Sequence, residues 1–135
     1  MKSFTTQIRV EYHHTDQMGI VHHSNYIKFF EVARTEWLRA IGLTYAEMER
    51  RGVMMPIVEV NVKYRQPAYY DELISVTAMV EELPMARMVF KYEIHGEDGR
   101  DIASGSTTLG FIDSTTRRPQ RAPIWLMEVL KTLDE

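Results

Sequence analysis

The sequence predicts an α+β domain in which one long helix lies along one face of an antiparallel sheet of about five strands. Three observations carry that expectation. Apolar and polar residues alternate over 4–12, 54–64 and 87–95, the period-two pattern of half-buried strands. Between the first two stretches the period lengthens to three and four, as in an amphipathic helix. After that helical region the strands follow one another with turn signals between them, so they pair antiparallel.

The elements come in a definite order. Residues 4–12 set Phe4, Thr6, Ile8, Val10 and Tyr12 on one face of a first strand, with Thr5, Gln7, Arg9 and Glu11 on the other. From Ser24 the apolar stripe is Tyr26, Phe29, Phe30, Ala33, Trp37, Ala40 and Ile41, with Ser24 placed to cap the helix and Gly42 just past its end. Val32 and Leu38 lie off the stripe, which predicts cover on more than one side. Thr44 and Glu47 have the spacing of a capping box, opening a short helix that Gly52 ends. Residues 54–64 then alternate Met54, Pro56, Val58, Val60, Val62 and Tyr64 against Glu59, Asn61 and Lys63. Residues 72–82 are rich in strand formers and stop near Pro84. In 87–95 Met88, Phe90, Tyr92 and Ile94 alternate with polar positions, and Asp98 with Gly99 marks a hairpin turn. The last strand, 101–112, carries Ser104, Gly105, Ser106, Thr107, Thr108 and Gly110, small residues that let another element or a ligand approach the backbone. Residues 123–133 read as a terminal helix. No repeat, linker or low-complexity stretch divides the chain, so residues 1–135 form one domain.

Composition narrows the function classes. The 135 residues are 44% hydrophobic and 26% charged, ordinary values for a folded domain. A net charge of −3 argues against a nucleic-acid binder. The absence of cysteine excludes disulfides and thiolate chemistry. The first twelve residues lack the apolar core of a signal peptide, and no run has the length of a membrane span, so a cytoplasmic protein is expected.

The chemistry concentrates in residues 12–26, YHHTDQMGIVHHSNY, where four of the five histidines flank one aspartate. A metal site is one reading: Asp16 with His14 and His22 or His23 offers three ligands. Adjacent residues of extended backbone point to opposite faces, so at most one of each His pair could serve. An acyl-transfer site needs less. Asp16 supplies a carboxylate as nucleophile or general base, and a helix opening near Ser24 supplies free N–H groups and the positive end of its dipole. Asp16 as a plain turn or cap residue is the blander alternative.

The stretch YHHTDQMGIVHHSNYIKFFEVARTEWL resembles the signature of hot-dog-fold acyl-CoA thioesterases of the 4-hydroxybenzoyl-CoA thioesterase type, closest to their bacterial short-chain (Tol-Pal-associated) branch. Val62, Tyr64, Pro67, Asp71 and Leu73 match a second motif, so the resemblance spans residues 8–80. It implies a hot-dog fold, the sheet wrapped around the long helix, and hydrolysis of an acyl-CoA thioester to free acid and CoA. By the same resemblance Asp16 is the catalytic carboxylate and His23 the residue whose backbone N–H points at the thioester carbonyl. Gly19, Asn25 and Tyr26 match the loop and helix start. His14, His22 and Met18 depart from the pattern, which bears on acyl preference more than on the chemistry.

The resemblance also implies a homodimer or homotetramer with active sites between subunits and no metal or organic cofactor, coenzyme A being part of the substrate. Val21, Met54, Met55, Pro56 and Val58 are candidates for the acyl pocket, with core packing as the alternative, and Tyr64 and Pro67 for the pocket edge, with strand geometry as the alternative. Arg87, Arg117 and Arg118 are candidates for the CoA phosphates, with solvated surface as the alternative. Trp37, Phe29 and Phe30 read as core packing, His95 as a solvent-exposed residue on the polar face of a strand, and Glu31, Arg34, Glu36 and Arg39 as a solvated helix edge or an intersubunit pair. Two further functions stay open: a non-catalytic acyl-CoA or acyl-carrier binding or scaffold module, and a thioesterase acting on acyl-carrier-protein conjugates.

Overall fold

In the computed structural model, which describes residues 3–133, the chain enters as strand β1 (Ser3–Arg9) and passes through a 3-10 turn at Tyr12–His14. Helices α1 (Asn25–Ala40) and α2 (Tyr45–Arg50) follow. Strands β2 (Val53–Met54), β3 (Ile57–Tyr64), β4 (Leu73–Met79), β5 (Arg87–His95), β6 (Asp101–Asp113) and β7 (Pro119–Gln120) precede the last helix, α3 (Ile124–Thr132). All pairings are antiparallel, and the five long strands run in the order β1-β4-β5-β6-β3. The two-residue strands β2 and β7 pair with the far end of β6. The sheet of about five strands is therefore present, extended by two short additions.

The core forms where the helix stripe meets the inward sheet face. Tyr26, Phe29, Phe30, Ala33 and Trp37 of α1 are buried, as are Met88, Phe90, Tyr92 and Ile94 of β5. Phe30 stacks on Tyr92 at 4.3 Å and Trp37 meets Phe90 edge-on at 5.3 Å. Burying each such side chain contributes about 1.5–3 kcal/mol. Gly105, opposite Val62 on one side and Tyr92 on the other, makes this contact possible. A Cβ there would overlap the Asn61 carbonyl oxygen and stand 2.7 Å from a Phe30 ring carbon.

Several local expectations change in the folded chain. The first strand ends at Arg9, and Tyr12 sits in the 3-10 turn with 80% of its surface exposed. The stretch 54–64 breaks at Met55 and Pro56, because proline has no N–H for the ladder. β3 then lies at a sheet edge, so Val58 and Val60 remain 48% and 37% exposed where alternation predicted burial. The strand expected over 72–82 is confined to Leu73–Met79. Leu38 is buried as its off-stripe position suggested, whereas Val32 and Ala40 are exposed. His95 is half-buried at the sheet end rather than free in solvent.

Arg34 is the largest departure. It is buried, not part of a solvated edge. Its Nε donates to the Tyr45 hydroxyl at 2.5 Å and its Nη1 to the Tyr92 hydroxyl at 3.1 Å, with Thr107 closing the group. Neutral hydroxyls thus take the Nε and Nη1 donors of this buried cation in place of a carboxylate.

The helix ends show the same interplay. Ser24 already has helical φ and ψ, and its hydroxyl bonds the His22 Nδ1 at 2.8 Å instead of capping α1. Thr44 does cap α2, accepting from the Glu47 N–H at 3.1 Å. Glu47 does not complete the box. Its carboxylate takes Arg50 and Arg51, whose hydrogen bonds hold its pKa down to about 2.

Gly105→Ala should destabilise the fold by about 1–3 kcal/mol, read as a lower denaturant midpoint, because Phe30 or the β3 backbone must move to admit the methyl. An unchanged midpoint would show that the close approach is not needed.

Candidate active site

The loop between the 3-10 turn and α1 is a small hairpin closed by non-local bonds. Thr15 bridges Val21, and the Asp16 N–H donates to the Ile20 carbonyl at 2.9 Å. At its tip the Asp16 Oδ1 accepts from the Met18 N–H at 2.8 Å, and Gly19 takes a φ of +75°. Asp16 is thus a turn residue, and its second carboxylate oxygen takes no hydrogen bond among the described residues. The hairpin's outer edge leans on the segment after β3: Val21 donates to the Ala68 carbonyl at 2.9 Å and Ile20 bridges Tyr69. Its base is tied to α1 by Asn25, whose buried side chain donates Nδ2 to the His14 carbonyl at 2.8 Å.

These supports place Asp16 and His23 on one open cleft of about 330 Å³, with Ile20, Val21, Tyr26, Tyr64, Arg65, Gln66 and Pro67 as the other walls. The first turn of α1 offers fewer free donors than its position suggests. Asn25 and Tyr26 N–H groups already donate to the His22 and His23 carbonyls. The His23 N–H, by contrast, donates to no acceptor among the described residues. Its carbonyl is fixed by the Tyr64 hydroxyl at 3.2 Å, and the Tyr64 ring meets Tyr26 edge-on at 5.2 Å. Burial raises the Tyr26 pKa above its ordinary value, with the Ala68 backbone hydrogen bond opposing it, so the phenol is neutral near pH 7.

Of the residues singled out in the sequence, Asp16, Val21, His23, Tyr26, Tyr64 and Pro67 line the cleft, while Gly19 and Asn25 shape and anchor it. Met54 and Pro56 line a different depression of about 240 Å³ with Tyr45, Met48, Met55 and Arg117. Arg87 stands on a third, beside Glu81, Leu83 and Lys91. Val58 and Arg118 are simply exposed. The separation is set by β3. Its Tyr64 end borders the cleft and its Ile57 end borders the methionines, the two ends of an eight-residue strand about 23 Å apart. Ile20, Arg65 and Gln66 were not anticipated. Their signal was only position, since Arg65 and Gln66 fill the variable places between Tyr64 and Pro67.

The metal alternative is not assembled around Asp16. Among the described residues, Glu11, His13 and His14 are the group whose ligand atoms share a common reach. There the His14 Nδ1 already accepts the Glu11 N–H at 2.9 Å, and the His13 Nε2 bonds the Glu11 carboxylate at 2.6 Å. His22 is committed to Ser24.

Residues 10–130 match the Thioesterase-like superfamily. The chain belongs to that family. YneP of Bacillus subtilis (strain 168) is 34% identical over 113 residues, covering 84% of this chain and 82% of that protein. YbgC of Haemophilus influenzae, named an acyl-CoA thioesterase, is 33% identical over 92 residues, 67% of this chain and 68% of its own. Among solved structures, a DHNA-CoA thioesterase from Staphylococcus aureus superposes with a TM-score of 0.89 at 36% identity, covering 99% of this chain and 92% of that one. The wrapped helix is thus that of a hot-dog thioesterase. Among the described residues no helix of this thioesterase is long and apolar enough to cross a membrane.

One titration follows from the loop geometry. Partial burial, then the neighbouring His13, lower the His14 pKa below 6.5, and Glu11 opposes them. The folded state therefore prefers neutral His14. Its contribution to stability is complete above the unfolded value of 6.5 and is lost as pH falls below it. An NMR titration should place the His14 midpoint below 6.5, and His14→Gln should flatten the loss of stability on acidification. A midpoint above 6.5 contradicts the stated burial.

Proposed function

We propose that this thioesterase hydrolyses acyl-CoA thioesters to the free acid and CoA, with Asp16 as the catalytic carboxylate and the His23 N–H as the donor to the thioester carbonyl. The observation that carries the reading is that both line one cleft, the carboxylate with an oxygen to spare and the N–H without an acceptor among the described residues. The naming of the Haemophilus relative and of the Staphylococcus structure supports a CoA thioester as the substrate class. The cleft gives no comparable support to the scaffold alternative, which has no use for a carboxylate there.

The chemistry follows from the placement. The thioester carbonyl oxygen receives the His23 N–H as negative charge develops on it; one such donor is worth about 2.7–4 kcal/mol in comparable sites. Asp16 either attacks the carbonyl carbon, forming an anhydride that water opens, or takes a proton from the attacking water. In both routes the C–S bond breaks, the thiolate leaves as CoA, and water supplies the acid's second oxygen. The imidazole of His23 is exposed and its backbone does the polarising work.

The cleft is completed, in this reading, by a second copy of the chain. β3 pairs on one side with β6 and on the other with no described strand, while Ile57, Val58, Val60 and Tyr64 stay exposed along it. An open edge of that length is a site for strand addition. Twofold antiparallel pairing of β3 with β3 lays the partner's Ile57 end beside this chain's Tyr64 end. That brings the partner's methionine depression and its Arg87 and Arg117 towards the Asp16 cleft, offering an acyl channel and cations for the CoA phosphates.

Asp16→Asn should lower turnover by about 10²-fold or more in a thiol-release assay run over acyl-CoAs from short-chain to aromatic. His23→Ala should cost less, since its backbone donor survives. Near-parental turnover by Asp16→Asn excludes the assignment, and CoA binding with no thiol release from any acyl-CoA favours the scaffold reading. Light scattering should give a dimer or a multiple of it, with Val58→Lys and Val60→Lys shifting it towards monomer; a parent chain that is monomeric and fully active excludes the shared site.

A further inference from the structure

The segment after β3 supports the catalytic hairpin, and something must in turn support that segment. It contains Asp71 at a φ of +66°, a costly conformation for a residue with a side chain, and Tyr69 and Tyr70 are half exposed. Ala68 anchors it in the core and backbone bonds join Asp71 and Glu72 to Val10, but the tyrosines between them add little packing. What closes it is an ion pair with the tip of the β5–β6 hairpin. The Arg100 Nη2 reaches both oxygens of Glu72, at 2.8 and 2.9 Å, and also donates to the Pro67 carbonyl at 3.0 Å. Arg100 is held from behind by Asp98, at 2.9 Å to each oxygen, and its guanidinium carbon lies 5.2 Å over the Tyr69 ring. Glu72 in turn accepts the Tyr69 N–H at 3.1 Å and the Glu97 N–H at 3.3 Å.

Both side chains of the pair are largely buried, 17% exposed for Arg100 and 10% for Glu72. The hairpin makes room for them at Gly96, where a Cβ would stand 2.5 Å from the Glu72 carboxylate and 3.0 Å from the Arg100 Nη1. From Pro67 to Glu72 the segment is therefore clamped at both ends by one guanidinium. Between those ends it binds the catalytic hairpin: Ala68 accepts from Val21, Tyr69 bridges Ile20, and Tyr70 donates to the Gly19 carbonyl at 3.3 Å. The hairpin residue Ile20 is the one whose carbonyl fixes the Asp16 N–H.

We propose that Arg100 and Glu72 are positioning residues for Asp16: their ion pair clamps residues 67–72, and that clamp holds the hairpin that aims the carboxylate into the cleft. The proposal rests on the reading of Asp16 as the catalytic carboxylate. A displacement of about 1 Å in such a group is enough to cost catalysis heavily without a change in substrate contacts. The loss therefore falls on kcat rather than KM.

The test uses the full-length protein with Arg100→Met, Glu72→Gln and Arg100→Lys, assayed below the melting temperature of each. Arg100→Met and Glu72→Gln should each lower kcat by about tenfold or more while KM stays within about twofold. Hydrogen-exchange protection of the Val21 and Tyr70 amides should fall while that of β5 is kept. Arg100→Lys should recover part of kcat, since an ammonium can replace the Nη2 that serves Glu72 and Pro67 but not also the Nη1 held by Asp98. The double variant should lose little more than the worse single one, because the two act as a unit. If Arg100→Met does not fold, Glu72→Gln, which keeps the side-chain shape, carries the same comparison. Folded variants that retain parental kcat, or that lose it only together with protection across the whole sheet, overturn the proposal. Should Asp16→Asn itself keep parental turnover, the catalytic assignment fails; selective loss of Val21 and Tyr70 protection then still shows that the pair holds the loop.

Discussion

Everything in this fold depends on one aromatic ring lying against bare backbone. Phe30 can stack on Tyr92 only because Gly105, in the middle of β6, presents no Cβ to it. That contact sets how deeply α1 sits in the sheet, and the depth of α1 sets where its first turn lies. The hairpin that carries Asp16 hangs from that turn through Asn25. A helix lying higher on the sheet would carry His23 away from Tyr64, whose hydroxyl fixes the His23 carbonyl. Packing in the core is in this sense part of the site.

The site also illustrates how an irregular loop is held to a small tolerance. Asp16 belongs to no helix or long strand, yet its hairpin is tied on three sides: to itself through Thr15 and Val21, to α1 through Asn25, and to residues 68–70 through backbone bonds. Loops that do chemistry need such rigid neighbours, because the surface offers few apolar contacts to order them. The polar density of this region, histidines included, is largely structural. His14 turns its ring nitrogen to the Glu11 amide and its carbonyl to Asn25, and His22 bonds Ser24.

Much of the architecture was legible from local pattern. The alternation of β5 was read to the residue, and the stripe of α1 was right from Tyr26 to Trp37. The errors share a cause. Val58 and Val60 alternate like a buried strand but lie at an edge, and Arg34 looks like surface but is buried among Tyr45, Tyr92 and Thr107. Periodicity reports which residues share a face. It does not report what covers that face.

By itself the sequence determined the element order, the period of each element and, through the motif around Asp16, the family. These depend on residues near one another along the chain, where spacing alone decides which side chains meet. Only the tertiary structure decided that Asp16 and His23 share a cleft with Arg65 and Gln66, that Met54 and Arg87 lie at the opposite end of β3, and that Arg100 reaches Glu72. Each of those pairings joins residues from different elements. Their distance depends on strand order and on how deeply the helix is seated, and no local pattern encodes either.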